Sequence, residues 1–265
     1  THVHHFYTRR NLWVLAAMWE KFKDCYIGKL VLTSILFKTA SLLHNIGLKN
    51  GKINLAGALP NAMYIPSNVA ERNIFELVRG KIKDFERADL LRLQNRQIIL
   101  TGSLSELYQI NNDNCIDYIF IDPPFGSNLY YSELSFIWES WLSVLTNNKL
   151  EAIESQSQNK TLDEYRVLMT LCFKQAYQLL KPGHWMTVEF SNTEAAVWNN
   201  IQTALSDAGF IVSNVAALRK GQGTFNSQTN PTAVKQDLVI SAYKPNGGFE
   251  ERFQQEAQSE AGVWD

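Results

Sequence analysis

The stretch of sequence that decides the fold is IDYIFIDPPF, which runs from Ile116 to Phe125. Asp117 is the only charged residue before Asp122, so the first six residues predict a short, largely apolar strand. Its end, residues 119–121, suits a strand that is covered on both faces, as in a parallel sheet. Because ligands bind beyond the carboxyl ends of the strands in such a sheet, we expect the Asp122 side chain to project into a cleft.

Short strands and helices alternate on both sides of this stretch. Upstream, the pattern predicts a strand at residues 98–100 and a brief helix at 104–108. Downstream, it predicts helices at 131–145, 161–180 and 194–208, and strands at 185–190, 210–215 and 238–243. Thr161 and Glu164 form a capping box that starts the second of these helices, and Gly209 suits the end of the third. This order of elements predicts an open parallel α/β sheet.

The first third of the chain predicts helices. Thr8 can cap a helix that continues through Trp19, and residues 30–43 predict a second, apolar helix that ends before Gly47 and Gly51. Residues 57–68 carry two prolines and indicate an irregular connection. Residues 71–95 mix charges of both signs, which is typical of a helix with a solvated face. We therefore divide the chain into a helical N-terminal region (1–96), an α/β domain (97–245) and an acidic C-terminal tail (246–265).

The composition excludes several classes of protein. Twenty-five basic and 26 acidic side chains leave a net charge of −1 over 265 residues. A protein that coats nucleic acid is clearly basic, so a polyanion would have to meet a local patch here. No uncharged apolar run approaches the roughly 18 residues of a membrane helix, so we expect no membrane span. Three widely spaced cysteines favour reduced thiols in the cytoplasm over a structural zinc site.

The tetrapeptide from Asp122 to Phe125 has a chemistry of its own. Two consecutive prolines fix φ and remove two backbone donors, so the loop is rigid and its carbonyl groups remain as acceptors. Phe125 places a flat aromatic face beside a carboxylate. A planar group with an amino substituent would stack on Phe125 and donate its two hydrogens to the Asp122 carboxylate and the Pro123 carbonyl. The nitrogen lone pair would then be free to attack an electrophile. A tight connection with an Asp turn cap is the alternative.

This part of the chain resembles the amino-methyltransferases that modify DNA bases with S-adenosylmethionine. Their signature, Asp/Asn/Ser-Pro-Pro-Tyr/Phe/Trp, stands at the end of the fourth strand of a seven-stranded sheet and matches residues 122–125. Residues 180–183 resemble the turn before strand five, and the helix–Gly209–strand unit and the last strand resemble strands six and seven. The resemblance covers residues 97–245 and implies a Rossmann-like class I methyltransferase sheet. It is sharpest from Asp122 to Glu133, which resembles a subgroup of bacterial DNA methylases.

The resemblance also implies roles for individual residues. The catalytic residues would be Asp122, Pro123, Pro124 and Phe125, with the target base flipped out of the DNA duplex to reach them. The cofactor S-adenosyl-L-methionine would be approached by Gly102, Ser103 and Asp122, and the substrate by Phe125, Asn128 and Tyr131. Methyl transfer from a sulfonium to an amino nitrogen is an in-line displacement that needs positioning more than a strong base. It requires no metal.

The chain departs from the family at its glycine-rich cofactor loop, Asp/Glu-x-Phe-x-Gly-x-Gly after the first strand. The nearest Gly-x-Gly, at Gly221 and Gly223, precedes no predicted helix and comes too late in the chain. We therefore expect the first two strands to lie upstream of Thr1, in a longer protein of which this chain is a piece. The alternative is that cofactor binding is done differently or has been lost. Loss of the initiator methionine before a small threonine is the alternative reading of that start. Residues 6–10 faintly resemble a cofactor-lining Phe-Thr-Pro segment, but a plain helix start is favoured.

Three functions stay open. The favoured one is transfer of a methyl group to the exocyclic amino group of adenine in DNA, with cytosine as the less favoured base. The second changes the substrate to RNA or a protein amide, where Asn-led loops dominate. The third is a nucleic-acid-binding or partner-binding module without catalysis. Whether a restriction-system partner exists is also open.

Other candidates are weaker. His2, His4 and His5 are expected to be solvated rather than metal ligands, and Trp138 and Trp141 to lie in the core. Residues 221–232 form a polar stretch with basic residues on both sides. That stretch predicts either a contact with DNA phosphates or an ordinary surface loop.

Overall fold

The computed structural model describes residues 2–37, 39–50, 52–58, 63–87, 98–107, 113–127, 130–191, 195–219 and 236–248. The chain forms two compact units. The first, which we call the N-terminal unit, comprises Thr1–Ile99 and Tyr131–Asn148. The second, which we call the sheet unit, comprises Leu100–Tyr130 and Lys149–Asp265. The chain therefore leaves the sheet unit after Tyr130, five residues beyond Phe125, and returns to it at Lys149.

The N-terminal unit contains five helices and a hairpin among its described residues. These are α1 (Arg9–Lys21), α2 (Tyr26–Leu36), β1 (His44–Lys49), β2 (Lys52–Ala58), α3 (Ile74–Arg87), α4 (Tyr131–Leu134) and α5 (Phe136–Leu142). Thr8 caps α1 as predicted, since its hydroxyl accepts a hydrogen bond from the Asn11 N–H at 3.2 Å. The predicted helix at 131–145 is present as the two shorter helices α4 and α5.

Two expectations for this unit are wrong. The second helix begins at Tyr26 rather than at residue 30, because the Cys25 sulfur accepts a hydrogen bond from the Gly28 N–H at 3.4 Å and caps it. It ends at Leu36. The residues around Gly47, expected only to end that helix, form strand β1, which pairs antiparallel with β2 from His44↔Ala58 to Lys49↔Lys52.

The N-terminal unit has its own apolar core. Leu15, Leu32, Leu36 and Ile137 are almost completely buried in it. Trp138 packs against this core, with its ring stacked on Phe37 at 4.8 Å between centroids and its indole N–H donating to the Thr33 carbonyl at 3.0 Å. Trp141 also packs against it. The expectation that the two tryptophans belong to the core is confirmed.

The sheet unit is an α/β structure. Its elements are β3 (Ile116–Ile121), α6 (Leu162–Leu179), β4 (Leu180–Phe190), α7 (Ala195–Asp207), β5 (Ile211–Arg219) and β6 (Gln236–Tyr243). The strands lie in the order β3-β4-β6-β5. Strands β3 and β4 are parallel, and β6 is antiparallel to both of its neighbours. The α/β class is confirmed. The sheet is mixed rather than fully parallel, because the last strand, β6, lies between β4 and β5 and runs antiparallel to both.

Strand β3 is not covered on both faces, contrary to expectation. It stands at the edge of the described sheet, next to β4 alone. Ile119 and Ile121 pack against the core on the side of α6 and α7, while Tyr118 and Phe120 point the other way and are 55% and 58% exposed. The apolar run therefore reflects one buried face and one aromatic, open face.

Helix ends in the sheet unit follow the sequence closely. Thr161 and Glu164 form the predicted capping box of α6. Gly209 follows α7 with φ +99°, and a Cβ there would stand 3.2 Å from the Tyr177 ring, so a residue with a side chain would be strained. Residues 98–100, predicted as a strand, are irregular, and the predicted helix at 104–108 is a 3-10 turn at Leu104–Glu106.

Among the described residues, no helix is long and apolar enough to cross a membrane.

Candidate active site

The candidate site begins where β3 ends. Ile121 pairs with Val188 of β4, so Asp122 follows at the edge of the sheet where the parallel strands β3 and β4 both end. The Asp122 side chain is exposed, and within the part of the chain that the structure describes it makes no hydrogen bond or ion pair. This carboxylate is therefore available to an external donor.

A second carboxylate on the same strand is already engaged. The Asp117 side chain accepts a hydrogen bond from the Lys181 ammonium at 2.6 Å. This hydrogen bond and the charge of Lys181 hold the pKa of Asp117 below its usual range. Asp117 therefore has a structural partner, and of these two acidic residues Asp122 is the one suited to a ligand.

The loop after Asp122 is held by donors from outside it. The Pro124 carbonyl accepts a hydrogen bond from the Tyr165 hydroxyl at 2.7 Å, and the Gly126 carbonyl accepts one from the Glu154 N–H at 3.3 Å. Pro123 and Gly126 are buried, and Gly126 has φ +83°. Because prolines cannot donate backbone hydrogen bonds, the loop carbonyl groups accept hydrogen bonds from residues outside the loop.

Phe125 sits at the border between core and solvent. It is half-buried, and its ring meets the Phe190 ring edge-to-face, at 5.5 Å between centroids and 86° between planes. Phe190 in turn lies 6.4 Å from the ring of Trp198 on α7. Such pairs favour one mutual ring orientation, so the Phe125 ring is oriented by the core while part of it faces outward.

The structure places the remaining predicted site residues in other segments. Gly102 is exposed, with no atom within 4 Å of the place of a Cβ, and the Ser103 hydroxyl lies 2.7 Å from that of Ser105. Tyr131 begins α4 in the N-terminal unit and is 41% exposed. Asn128 lies outside the described residues, as do residues 220–235 with their Gly-x-Gly. The roles of these residues stay predictions.

Tyr165 lies in the helix predicted at residues 161–180, and its position in the sequence does not connect it with the site. The structure shows that its ring is fully buried and its hydroxyl reaches the Pro124 carbonyl. A signal was present, because a buried tyrosine needs a partner for its hydroxyl. Phe190, at the end of the predicted third strand, gave no comparable signal.

The described residues bring one unpaired carboxylate and one aromatic ring to the end of β3. A carboxylate without a partner beside an oriented aromatic ring suits a planar group that carries an amino substituent. The described part of the chain contains no group of three His, Cys, Asp or Glu side chains that could hold a metal ion.

No protein-family model matches this chain, and no curated protein matches it. Its structure is similar to that of a Thermus thermophilus protein, provisionally assigned as a DNA modification methylase and solved with S-adenosyl-L-methionine. The two are 12% identical, with a TM-score of 0.32, over 60% of this chain and 63% of that one. The chain thus spans about three fifths of that protein's length.

Two further solved structures are similar at the same level. The antibiotic-resistance methyltransferase Kmr is 12% identical, with a TM-score of 0.30, over 56% of this chain and 61% of that one. The cyclase SpnF is 12% identical, with a TM-score of 0.34, over 65% of each chain. Likenesses this distant do not establish a shared activity.

Proposed function

We propose that this chain belongs to an S-adenosylmethionine-dependent methyltransferase that methylates the exocyclic amino group of a DNA base, adenine before cytosine. The observation that supports the proposal is the Asp122 carboxylate, exposed and without a partner among the described residues, next to the half-exposed ring of Phe125. Asp117, five residues earlier, shows that a structural carboxylate in this strand is paired instead.

The residues of the loop act on the target amino group. The ring of the target base stacks on Phe125. The two amino hydrogens are donated to the Asp122 carboxylate and the Pro123 carbonyl. With both hydrogens engaged, the nitrogen would keep its lone pair for the new N–C bond. The S–C bond of the donor would break to leave a neutral thioether, and the nitrogen would release one of its two protons. Holding the nitrogen in line with its electrophile contributes most of the rate, because the step needs orientation rather than a strong base. The target base must leave the duplex to reach such a loop.

S-adenosyl-L-methionine is the proposed methyl donor. When bound, it would supply an electrophilic methyl group on a sulfonium. We propose Gly102, Ser103 and Asp122 as its neighbours on this chain. The division into a helical region (1–96), a methyltransferase domain (97–245) and a tail (246–265) belongs to the same proposal.

Transfer of a labelled methyl group from S-adenosylmethionine to DNA tests this function. We expect Asp122→Ala to abolish the transfer that the wild type supports, with little change in the circular dichroism spectrum. Asp117→Ala is the matched control, since it removes a carboxylate from the same strand and leaves the site intact. Transfer to RNA or protein but not to DNA would favour the second substrate class. Undiminished transfer by Asp122→Ala would contradict the role of this carboxylate.

Calorimetric titration of the chain with S-adenosylmethionine separates donor binding from transfer. Saturable one-to-one binding is the result expected from a donor site on this chain. If the chain binds the donor but transfers no methyl group to any acceptor, the non-catalytic alternative is favoured. If it binds no donor, the chain is either a piece of a longer protein or a non-catalytic relative.

A further inference from the structure

The Asp-Pro-Pro-Phe loop has two φ angles fixed by proline but few backbone donors of its own. Pro123 and Pro124 have no N–H, so two of its four residues offer no backbone donor. Its carbonyl groups must therefore be fixed by donors from elsewhere. The structure provides one at the centre of the loop, the Tyr165 hydroxyl, which donates to the Pro124 carbonyl at 2.7 Å.

The Tyr165 hydroxyl is itself held in place. Tyr165 lies in the first turn of α6, where the capping box of Thr161 and Glu164 fixes the backbone. Its N–H donates to the Thr161 carbonyl at 3.1 Å, and its side chain is completely buried among the core residues of the sheet unit. A ring without free volume around it cannot swing, so the hydroxyl presents a fixed donor to the loop.

This hydrogen bond controls the residue after Pro124. The Pro124 carbonyl and the Phe125 N–H belong to one planar peptide group, so fixing the carbonyl also fixes the plane from which Phe125 starts. At its other end, the Phe125 ring is oriented by Phe190 at 5.5 Å. Phe190 therefore orients the Phe125 ring, and the Tyr165 hydroxyl fixes the Phe125 backbone through its hydrogen bond to the Pro124 carbonyl.

We infer that Tyr165 is a positioning residue of the candidate site, which sets the Phe125 ring relative to Asp122 through the Pro124 carbonyl. The inference rests on the proposed function, because the ring's position matters when a planar base stacks on it. Tyr165 touches neither the base nor the methyl group. Its effect is on the geometry of stacking, where a displacement of about 1 Å can cost as much as 100-fold in rate.

The test is Tyr165→Phe, which removes the hydroxyl and keeps the buried ring. Tyr177→Phe is the matched control, since Tyr177 lies on the same helix and packs against Phe210, away from the loop. We expect Tyr165→Phe to lower kcat for DNA methylation by roughly tenfold with KM for DNA nearly unchanged. We expect Tyr177→Phe to leave both constants near those of the wild type.

Carbon-13 NMR of labelled proline carbonyls reports on the conformation of the loop independently of enzymatic activity. The chain has seven prolines, and Pro124→Ala identifies the resonance of Pro124. We expect this resonance to move in Tyr165→Phe and to stay in Tyr177→Phe. A resonance that does not move in Tyr165→Phe would overturn the inference.

The two readouts keep the inference separate from the proposed function. If the wild type methylates no DNA, the proposed function fails and the Pro124 resonance alone decides whether Tyr165 holds the loop. If the wild type is active and Tyr165→Phe keeps its full kcat, the inference fails and the proposed function stands. If both tyrosine variants lose activity in proportion to the fall in their melting temperatures, the role of Tyr165 is only structural. That result also overturns the inference.

Discussion

At the scale of single residues, Lys244 joins three segments of the sheet unit. Its ammonium donates to the Asn114 side chain at 2.7 Å and to the carbonyls of Tyr177 and Leu180 at 2.6 and 2.7 Å. It also lies 4.5 Å from the centre of the Tyr177 ring. Burial lowers the pKa of Lys244, and Asp113 partly offsets that effect. The cation therefore binds carbonyl groups at the point where α6 ends and β4 begins.

Lys244→Met keeps the apolar stem and removes the three hydrogen bonds. We expect the free energy of unfolding to fall by roughly 1–3 kcal/mol, because buried carbonyls lose their donor. Urea denaturation measures this change. Lys181→Met is the control, since Lys181 is paired with the exposed Asp117 and its loss should have little effect. Equal stability of Lys244→Met and the wild type would show that water replaces the ammonium.

At the scale of elements, α6 carries both the cap and the residue that reaches the loop. Thr161 accepts a hydrogen bond from the Glu164 N–H at 3.4 Å, and its own N–H donates to the Glu164 carboxylate at 2.8 Å. We expect Thr161→Ala to lower the free energy of unfolding by about 1 kcal/mol. Urea denaturation at pH 7 measures this change, and an unchanged midpoint would mean that the packing of α6 alone fixes its first turn.

The same cap has a pH dependence of known sign. Hydrogen bonds from the Thr161 side chain and backbone hold the pKa of Glu164 below its ordinary value of 4.5. A lowered pKa contributes stability above the unfolded value and loses it as the pH falls through the folded value. We therefore expect Glu164→Gln to melt below the wild type at pH 7, and the difference to close at a pH below 4.5. A difference that does not change with pH would contradict this.

Elements with strong local signals could be predicted, and those decided by neighbours could not. The capping box located α6, and Gly209 located the end of α7. The hairpin of β1 and β2 was not predicted, although the sequence Asn50-Gly51 is a strong hairpin signal and Asn50 has φ +54°. The sequence pattern predicts a helix end before Gly47. One glycine can mark either a helix end or a position in a strand, so this signal did not distinguish the two.

At the scale of the whole molecule, sequence order does not determine which strands are neighbours. The sequence predicted β3, β4, β5 and β6 as strands, but their parallel arrangement was wrong because β6 enters antiparallel between β4 and β5. The apolar run of β3 likewise could not reveal that Tyr118 and Phe120 face outward. The motif at Asp122 was nevertheless found, since its chemistry lies within ten consecutive residues. The Tyr165 contact spans 41 residues and was not found.

The two compact units have separate buried clusters. Leu32 is completely buried in the N-terminal unit, and Ile240 is completely buried in the sheet unit. Replacing either by alanine removes apolar contacts and leaves a cavity, at a cost of roughly 2–5 kcal/mol. Local unfolding follows cooperative units of structure, so each cost should appear first in the unit that contains the cavity.

Hydrogen exchange measured by mass spectrometry tests this at the level of peptides. We expect Ile240→Ala to accelerate exchange in α6, β4 and β6, and Leu32→Ala to accelerate it in α1, α2 and α5. Phe120→Ala serves as the control, because its ring is 58% exposed and little buried surface is lost. Equal acceleration of both units by either core substitution would mean that they open as one cooperative body. Selective acceleration would mean that the loop at Asp122 depends for its stability on the sheet unit alone.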